Sequence, residues 1–120
     1  MKRKERIRVN KRNRVKGHEF ERKIVRELRG MGIDCGTSRK YNRALDDAKV
    51  DIYMMDDTPL NIQCKNNLSF KNPVPILASM PDDNKYNLAF QKVKNSGEYV
   101  TMWKDDFYDL LFYFLHARRY

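Results

Sequence analysis

The stretch KVDIYMMDDTPLNIQCKN (residues 49–66) decides how this chain folds. It reads as two apolar strands, 49–55 and 60–66, joined by Asp56-Asp57-Thr58-Pro59, a strong turn signal. Alternate side chains share a strand face. Val50, Ile52 and Met54 therefore point to one side, where Leu60, Ile62 and Cys64 can join them as core. Asp51, Gln63 and Lys65 have the opposite, polar parity. They gather on one face only if odd positions pair with odd positions, through an odd-length loop or a bulge. A four-residue loop without a bulge sets Asp51 opposite Cys64 and breaks the group apart.

Upstream, Phe20, Ile24 and Leu28 fall at i, i+4 and i+8, and Val25 widens the stripe. This predicts a helix over 17–29, stopped by Gly30 and Gly32. Residues 33–35 form a short strand candidate, and the polar, aperiodic 36–48 read as a loop. Downstream, 67–84 is irregular with three prolines and a short helical turn near 76–80. Residues 86–93 and 98–103 read as a hairpin across Asn95-Ser96-Gly97. A last helix spans 105–118, with Asp105 and Asp106 at its N-terminal end and Arg118 and Arg119 at its C-terminal end. Phe107, Leu110, Leu111 and Phe114 form its expected core stripe. Tyr108, Phe112 and Tyr113 lie off that stripe, so the helix is apolar nearly all round. Such a helix is covered on more than one side, and a second copy of the chain is the expected cover. The order is helix, three strands, irregular crossing, two strands, helix. It predicts an α/β fold with a central mixed sheet of about five strands flanked by helices.

The 120 residues suffice for one domain and one core. No apolar run approaches the ~18 residues of a membrane span, and the basic N-terminus does not resemble a secretory signal. Cys35 and Cys64 lack CxxC partners or a histidine cluster, so they read as small reduced core residues rather than zinc ligands. That suits a cytoplasmic setting. The net charge is +9, and it is unevenly placed. Residues 1–16 hold nine Lys/Arg against one acid, Glu5, whereas 17–120 are nearly neutral. The chain divides into a basic arm, 1–16, expected to be disordered alone, and a single domain, 17–120. Lys11, Arg12, Arg14 and Lys16 in the arm suit contact with nucleic-acid phosphates.

An acid on one strand, then Gln-x-Lys on the next, suits metal-dependent phosphodiester hydrolysis. A magnesium ion keeps several waters and takes few protein ligands. Asp51 would be the central ligand, with the Gln63 amide oxygen and the Cys64 backbone carbonyl beside it. Lys65 would orient the attacking water or neutralise charge. Glu21 stands one turn before Val25, borders the buried stripe and can reach the sheet edge. An isolated Asp followed by Gln-x-Lys recurs by chance, Lys65 can be a solvated strand end, and Glu21 can make surface helix pairs. The joint placement of helix acid, strand acid, Gln-x-Lys and basic arm carries the reading.

Lys16-Gly17-His18-Glu19-Phe20-Glu21-Arg22-Lys23-Ile24-Val25, then Val50-Asp51-Ile52 and Ile62-Gln63-Cys64-Lys65, resemble the PD-(D/E)xK nuclease superfamily. Within it they most resemble archaeal-type Holliday junction resolvases and their phage relatives. The resemblance implies a restriction-endonuclease-like fold, an active site of Glu21, Asp51, Gln63 and Lys65, and Mg²⁺ with Mn²⁺ as substitute. It implies a homodimer nicking opposing strands of a four-way DNA junction in a bacterial or phage-infected cell. Ser38 matches the family's loop serine, and Arg39, Lys40 and Arg43 would contact backbone phosphate. Two departures stand out. Val50 replaces the proline before the Asp, and Gln63 replaces the usual Glu, as in some restriction enzymes that cut modified DNA. A neutral ligand weakens metal binding, and Asp46 or Asp47 can compensate. The alternatives are a restriction- or repair-type DNA nuclease of the same fold, and a non-catalytic basic nucleic-acid-binding protein.

Overall fold

Phe20, Ile24, Val25 and Leu28 are all buried, so the apolar stripe of the first helix is the face that packs on the sheet. The computed structural model describes residues 3–117, with side chains from Lys11 onward. Helix α1 spans Arg3–Gly30. It therefore begins well before Gly17, and the basic segment expected as a disordered arm is its N-terminal extension. No Pro or Gly precedes Gly17, Lys and Arg are good helix formers, and one interior glycine costs only about 1 kcal/mol. The helix ends in a Schellman cap. Gly32 has φ +92°, the Ile33 N–H donates to the Leu28 carbonyl (3.1 Å) and the Gly32 N–H to that of Arg29 (3.0 Å).

Strand β1 (Cys35–Thr37) follows, then two short helices, α2 (Ser38–Tyr41) and α3 (Arg43–Asp47), where the sequence reads as a loop. Helices this short show no periodicity. Asn42 makes the second one by accepting the Leu45 N–H on its side chain. Strand β2 (Ile52–Met54) is shorter than the predicted 49–55, and β3 (Leu60–Asn67) closely matches its prediction. Helix α4 (Pro73–Ala78) crosses to β4 (Tyr86–Val93), which pairs with β5 (Gly97–Thr101). The chain closes with α5, Lys104–Ala117; its expected end at Arg118 lies outside the described residues.

The sheet is mixed, in the order β1-β2-β3-β4-β5, with β3 and β4 parallel and every other pair antiparallel. The α/β class and the single five-stranded sheet agree with the sequence reading. One face carries α1 on Cys35, Ile52, Met54, Ile62 and Leu88. The other carries α4, through Leu77 and Met80 on Ala89. Ile52 is fully buried beneath α1. Ile52→Ala is expected to lower unfolding stability by about 3 kcal/mol in urea denaturation, from lost transfer energy plus an uncollapsed cavity.

The expected core stripe of α5 is not core in the single chain. Among the described residues none of α5 is buried, and Phe107, Leu110, Leu111 and Phe114 are all exposed. The helix is tethered near its start, where Tyr86 Oη donates to Asp109 Oδ2 (2.6 Å). Periodicity marks an apolar face but not what covers it. Among the described residues no helix is long and apolar enough to cross a membrane. Both cysteines are free, as the sequence suggests.

Candidate active site at the open edge of the third strand

Asp51 is aimed by two local devices. Helix α3 ends in its own Schellman cap: the Val50 N–H donates to the Leu45 carbonyl (2.9 Å) and the Lys49 N–H to that of Asp46 (3.1 Å). Lys49 takes φ +67° to make this turn, a conformation that costs a non-glycine residue about 1 kcal/mol or more. The second device is a bulge. Ile52 pairs with Ile62, the even-with-even register that the site required. The Asp51 N–H also donates to the Ile62 carbonyl (2.8 Å). Two residues of one strand thus meet a single residue of the other. Val50 is buried but stands apart from the α1 cluster that holds Ile52 and Met54, as a break in alternation requires.

The bulge carries the Asp51 carboxylate into the gap where β2 leaves β3. There Asp51 Oδ2 accepts the Cys64 N–H (2.7 Å). A strand residue's N–H and carbonyl point to the same edge, so the Cys64 carbonyl faces this gap too. The carboxylate lies near the plane of the sheet, within reach of both faces. Glu21 approaches from the α1 face. Gln63 and Lys65 belong to the other, since Gln63 pairs with Ala89 of the α4 cluster. Glu21, Asp51 and Lys65 feel one another at this open edge, while Gln63 lies on the α4 face, so the four do not share one strand face.

Electrostatics report this convergence. Burial first, then the Asp51 charge, pushes Glu21 up to about 7, while Arg39 opposes the rise. The Arg39 guanidinium lies 3.6 Å from Glu21 Oε2, and only 13% of the Glu21 side chain is exposed. Asp51 is raised chiefly by burial, against the lowering effects of the Cys64 N–H and then Lys65. Asp46 raises both carboxyls, so its charge stands close to the pair. Burial, then Asp51 and Glu21, pushes the Cys64 thiol well above its ordinary value. These surroundings favour the protonated thiol.

Gln63 is buried, and its Oε1 has no hydrogen-bond partner among the described residues. The orphaned amide oxygen on one face of β3 and, at its edge, two mutually repelling carboxylates and the Cys64 carbonyl are oxygen donors of the kind a hard cation takes. Among the described residues no group of three or more His, Cys, Asp or Glu side chains is gathered for a metal, so the third side-chain donor would be the amide.

The nucleic-acid residues divide. Lys11, Arg12, Arg14 and Lys16 are exposed on α1, and Arg39, Lys40 and Arg43 are exposed on the short helices. Ser38 is not: it is fully buried. Its N–H donates to the Asp51 carbonyl (2.8 Å), continuing the β1–β2 ladder, and its Oγ has no hydrogen-bond partner among the described residues. It serves the strand that positions Asp51 and presents no surface to a phosphate, because the chain folds into α2 there instead of looping out. Sequence reasoning missed three arginines of α1, Arg22, Arg26 and Arg29, which with Arg39 and Lys40 line a cavity beside the site. Their i, i+4, i+7 spacing was the available signal. No protein-family model, curated protein or solved structure matches this chain.

Proposed function

We propose that this chain is a divalent-metal-dependent endonuclease of branched DNA, of the Holliday junction resolvase kind, with a restriction-endonuclease-like fold. The observation that carries the proposal is the meeting of Glu21 and Asp51 at the open edge of β3, where their repulsion and burial hold Glu21 near 7. Two carboxylates in such a place favour a cation between them. Glu21, Asp51, the Gln63 amide oxygen and the Cys64 carbonyl would hold Mg²⁺, or Mn²⁺ in its stead. The ion supplies Lewis-acid polarisation of the phosphate and an activated water. Lys65 places its ammonium beside the phosphate oxygens and stabilises the charge that grows there. Arg39 keeps Glu21 in place and meets the strand's backbone. Lys11, Arg12, Arg14, Lys16, Lys40 and Arg43 take flanking phosphates, which fix position without reading sequence. Asp46 offsets the charge that Gln63 lacks.

A four-way junction has near two-fold symmetry, and a two-fold dimer would present two equivalent sites to it. The exposed aromatic face of α5 supports that assembly. The setting would be the cytoplasm of a bacterial or phage-infected cell. The test is a labelled synthetic four-way junction with Mg²⁺. Paired, symmetric nicks near the crossover are expected, with sedimentation at twice the 14.4 kDa chain mass. Cleavage of plain duplex alone would move the reading to a restriction or repair nuclease. Binding without any metal-dependent nicking would leave a basic nucleic-acid-binding protein.

A further inference from the structure

Arg22, Arg26 and Arg29 lie on one side of α1, where they line a cavity of about 550 Å³ with Arg39, Lys40 and Tyr41 of α2. No carboxylate lines it. Among the described residues Arg39 alone of its five cations is in an ion pair, with Glu21. The crowding acts beyond the cavity: after burial, Arg39 and then Arg22 hold the His18 imidazole below its ordinary range. Four cations without a paired carboxylate and a fifth shared with Glu21 face one concavity, repel each other and create a positive potential that an anion relieves.

The cavity is also built. Arg29 Nε donates to the Cys35 carbonyl (2.8 Å), which anchors that guanidinium to β1. Gly36 forms part of the wall because nothing larger fits. A Cβ there would lie 2.5 Å from two Tyr41 ring carbons, so the ring lies against bare backbone. The Lys40 ammonium stands 5.1 Å from the centre of that ring. Guanidinium forks match phosphate oxygens in pairs, and the Tyr41 ring, 46% exposed beside Gly36 and Lys40, leaves aromatic surface against which a base packs.

We propose that this cavity is a second nucleic-acid subsite, holding a nucleotide of the bound DNA strand beside the scissile position, with its phosphate among Arg22, Arg26 and Arg29 and its base against Tyr41. Arg39 belongs to both places, lining the cavity and pairing Glu21, so the two positions are neighbours on one strand. The exposed Lys11, Arg12, Arg14 and Lys16 extend the run of cations over earlier turns of the same helix, with Glu19 among them. A DNA strand follows such a path; a small free anion uses only its end. The subsite deepens the endonuclease reading and rests on its choice of DNA as ligand.

The experiment measures binding of a fluorescent four-way junction by anisotropy across a salt series, in EDTA so that cleavage plays no part. The double variant Arg22→Gln with Arg26→Gln changes exposed side chains and should fold normally, as circular dichroism would check. Its plot of log affinity against log salt should be shallower by about two counterions. Tyr41→Leu should lose roughly tenfold in affinity with the slope unchanged, because stacking releases no ions. Lys94→Gln, on the β4–β5 hairpin, is the control and should match wild type. An unchanged slope in the double variant would overturn the subsite, as would wild-type protein that binds no DNA at any salt. The two readings fail separately. A shallower slope without nicking in Mg²⁺ keeps the subsite and removes the nuclease, and nicking with an unchanged slope does the reverse.

Discussion

Asp51→Asn is expected to reduce Mg²⁺-dependent nicking of a four-way junction by a thousandfold or so while leaving junction affinity within about twofold. The substitution is chosen because Asp51 has two tasks. Its Oδ2 accepts the Cys64 N–H at 2.7 Å, a structural bond beside the bulge. Asparagine keeps an acceptor there and removes only the charge. Asp51→Ala removes both and leaves a half-buried N–H unpaired, at a cost of about 1–3 kcal/mol. The alanine variant should therefore be inactive and also less stable, and the asparagine variant inactive and near wild type in stability. On the proposed function the basic residues of α1 and α2 carry the phosphate contacts, so affinity should survive in both. Normal nicking by either variant would remove Asp51 from the site.

The second large effect is on stability against pH. Glu21 has its folded-state value near 7, above an ordinary 4.5, through burial and then Asp51. The folded state thus holds a proton between those values that the unfolded chain gives up. The Glu21 contribution to stability is fully present below about pH 4.5 and is lost as pH rises through about 7. The loss amounts to about 2–3 kcal/mol, or roughly 5–10 °C in Tm. Thermal melting at pH 5 and pH 8 should show that fall in wild type and little of it in Glu21→Gln. Mg²⁺ or Mn²⁺ should restore most of the loss at pH 8 and little at pH 5, since only the ionised pair attracts it. A wild-type Tm that is level across this range, with and without metal, would mean that the two carboxyls are not apposed as described. Asp51→Asn should flatten the same profile in part, because it withdraws one of the charges that raise Glu21. The two predictions are thereby linked through one contact.

Much of the candidate site was legible along the chain. Glu21 was found because it borders the buried stripe of Phe20, Ile24 and Val25, and Asp51 because it breaks an apolar strand. The sequence offered Asp46 or Asp47 as a compensating charge, and Asp46 is the one whose charge reaches both carboxyls. Odd-with-odd, and so even-with-even, pairing stood as a condition of the site, which Ile52 and Ile62 meet, but the reason Asp51 can meet Glu21 was not legible. Strand alternation alone puts Asp51 with Gln63 and Lys65 on the face away from α1. The bulge at Ile62 frees it from that face. Ser38 went wrong for a related reason, since a polar residue in an aperiodic stretch reads as exposed when nothing announces a four-residue helix.

Residue spacing along the chain was enough to establish where the packed half of α1, β3, the β4–β5 hairpin and α5 run and which side of each is apolar, though not that α1 begins at Arg3. Those signals are local: periods near 3.6 and 2 depend on neighbours a few residues away. Folding alone brought together what lies far apart in sequence: Asp51 in the gap beside Cys64, Glu21 above it, and Arg22, Arg26 and Arg29 across from Arg39 and Tyr41. It also left α5 uncovered, against the buried stripe its pattern implies. Strand register, bulges and the partner of an apolar face depend on surfaces contributed by distant segments, and no periodicity within a single segment records them.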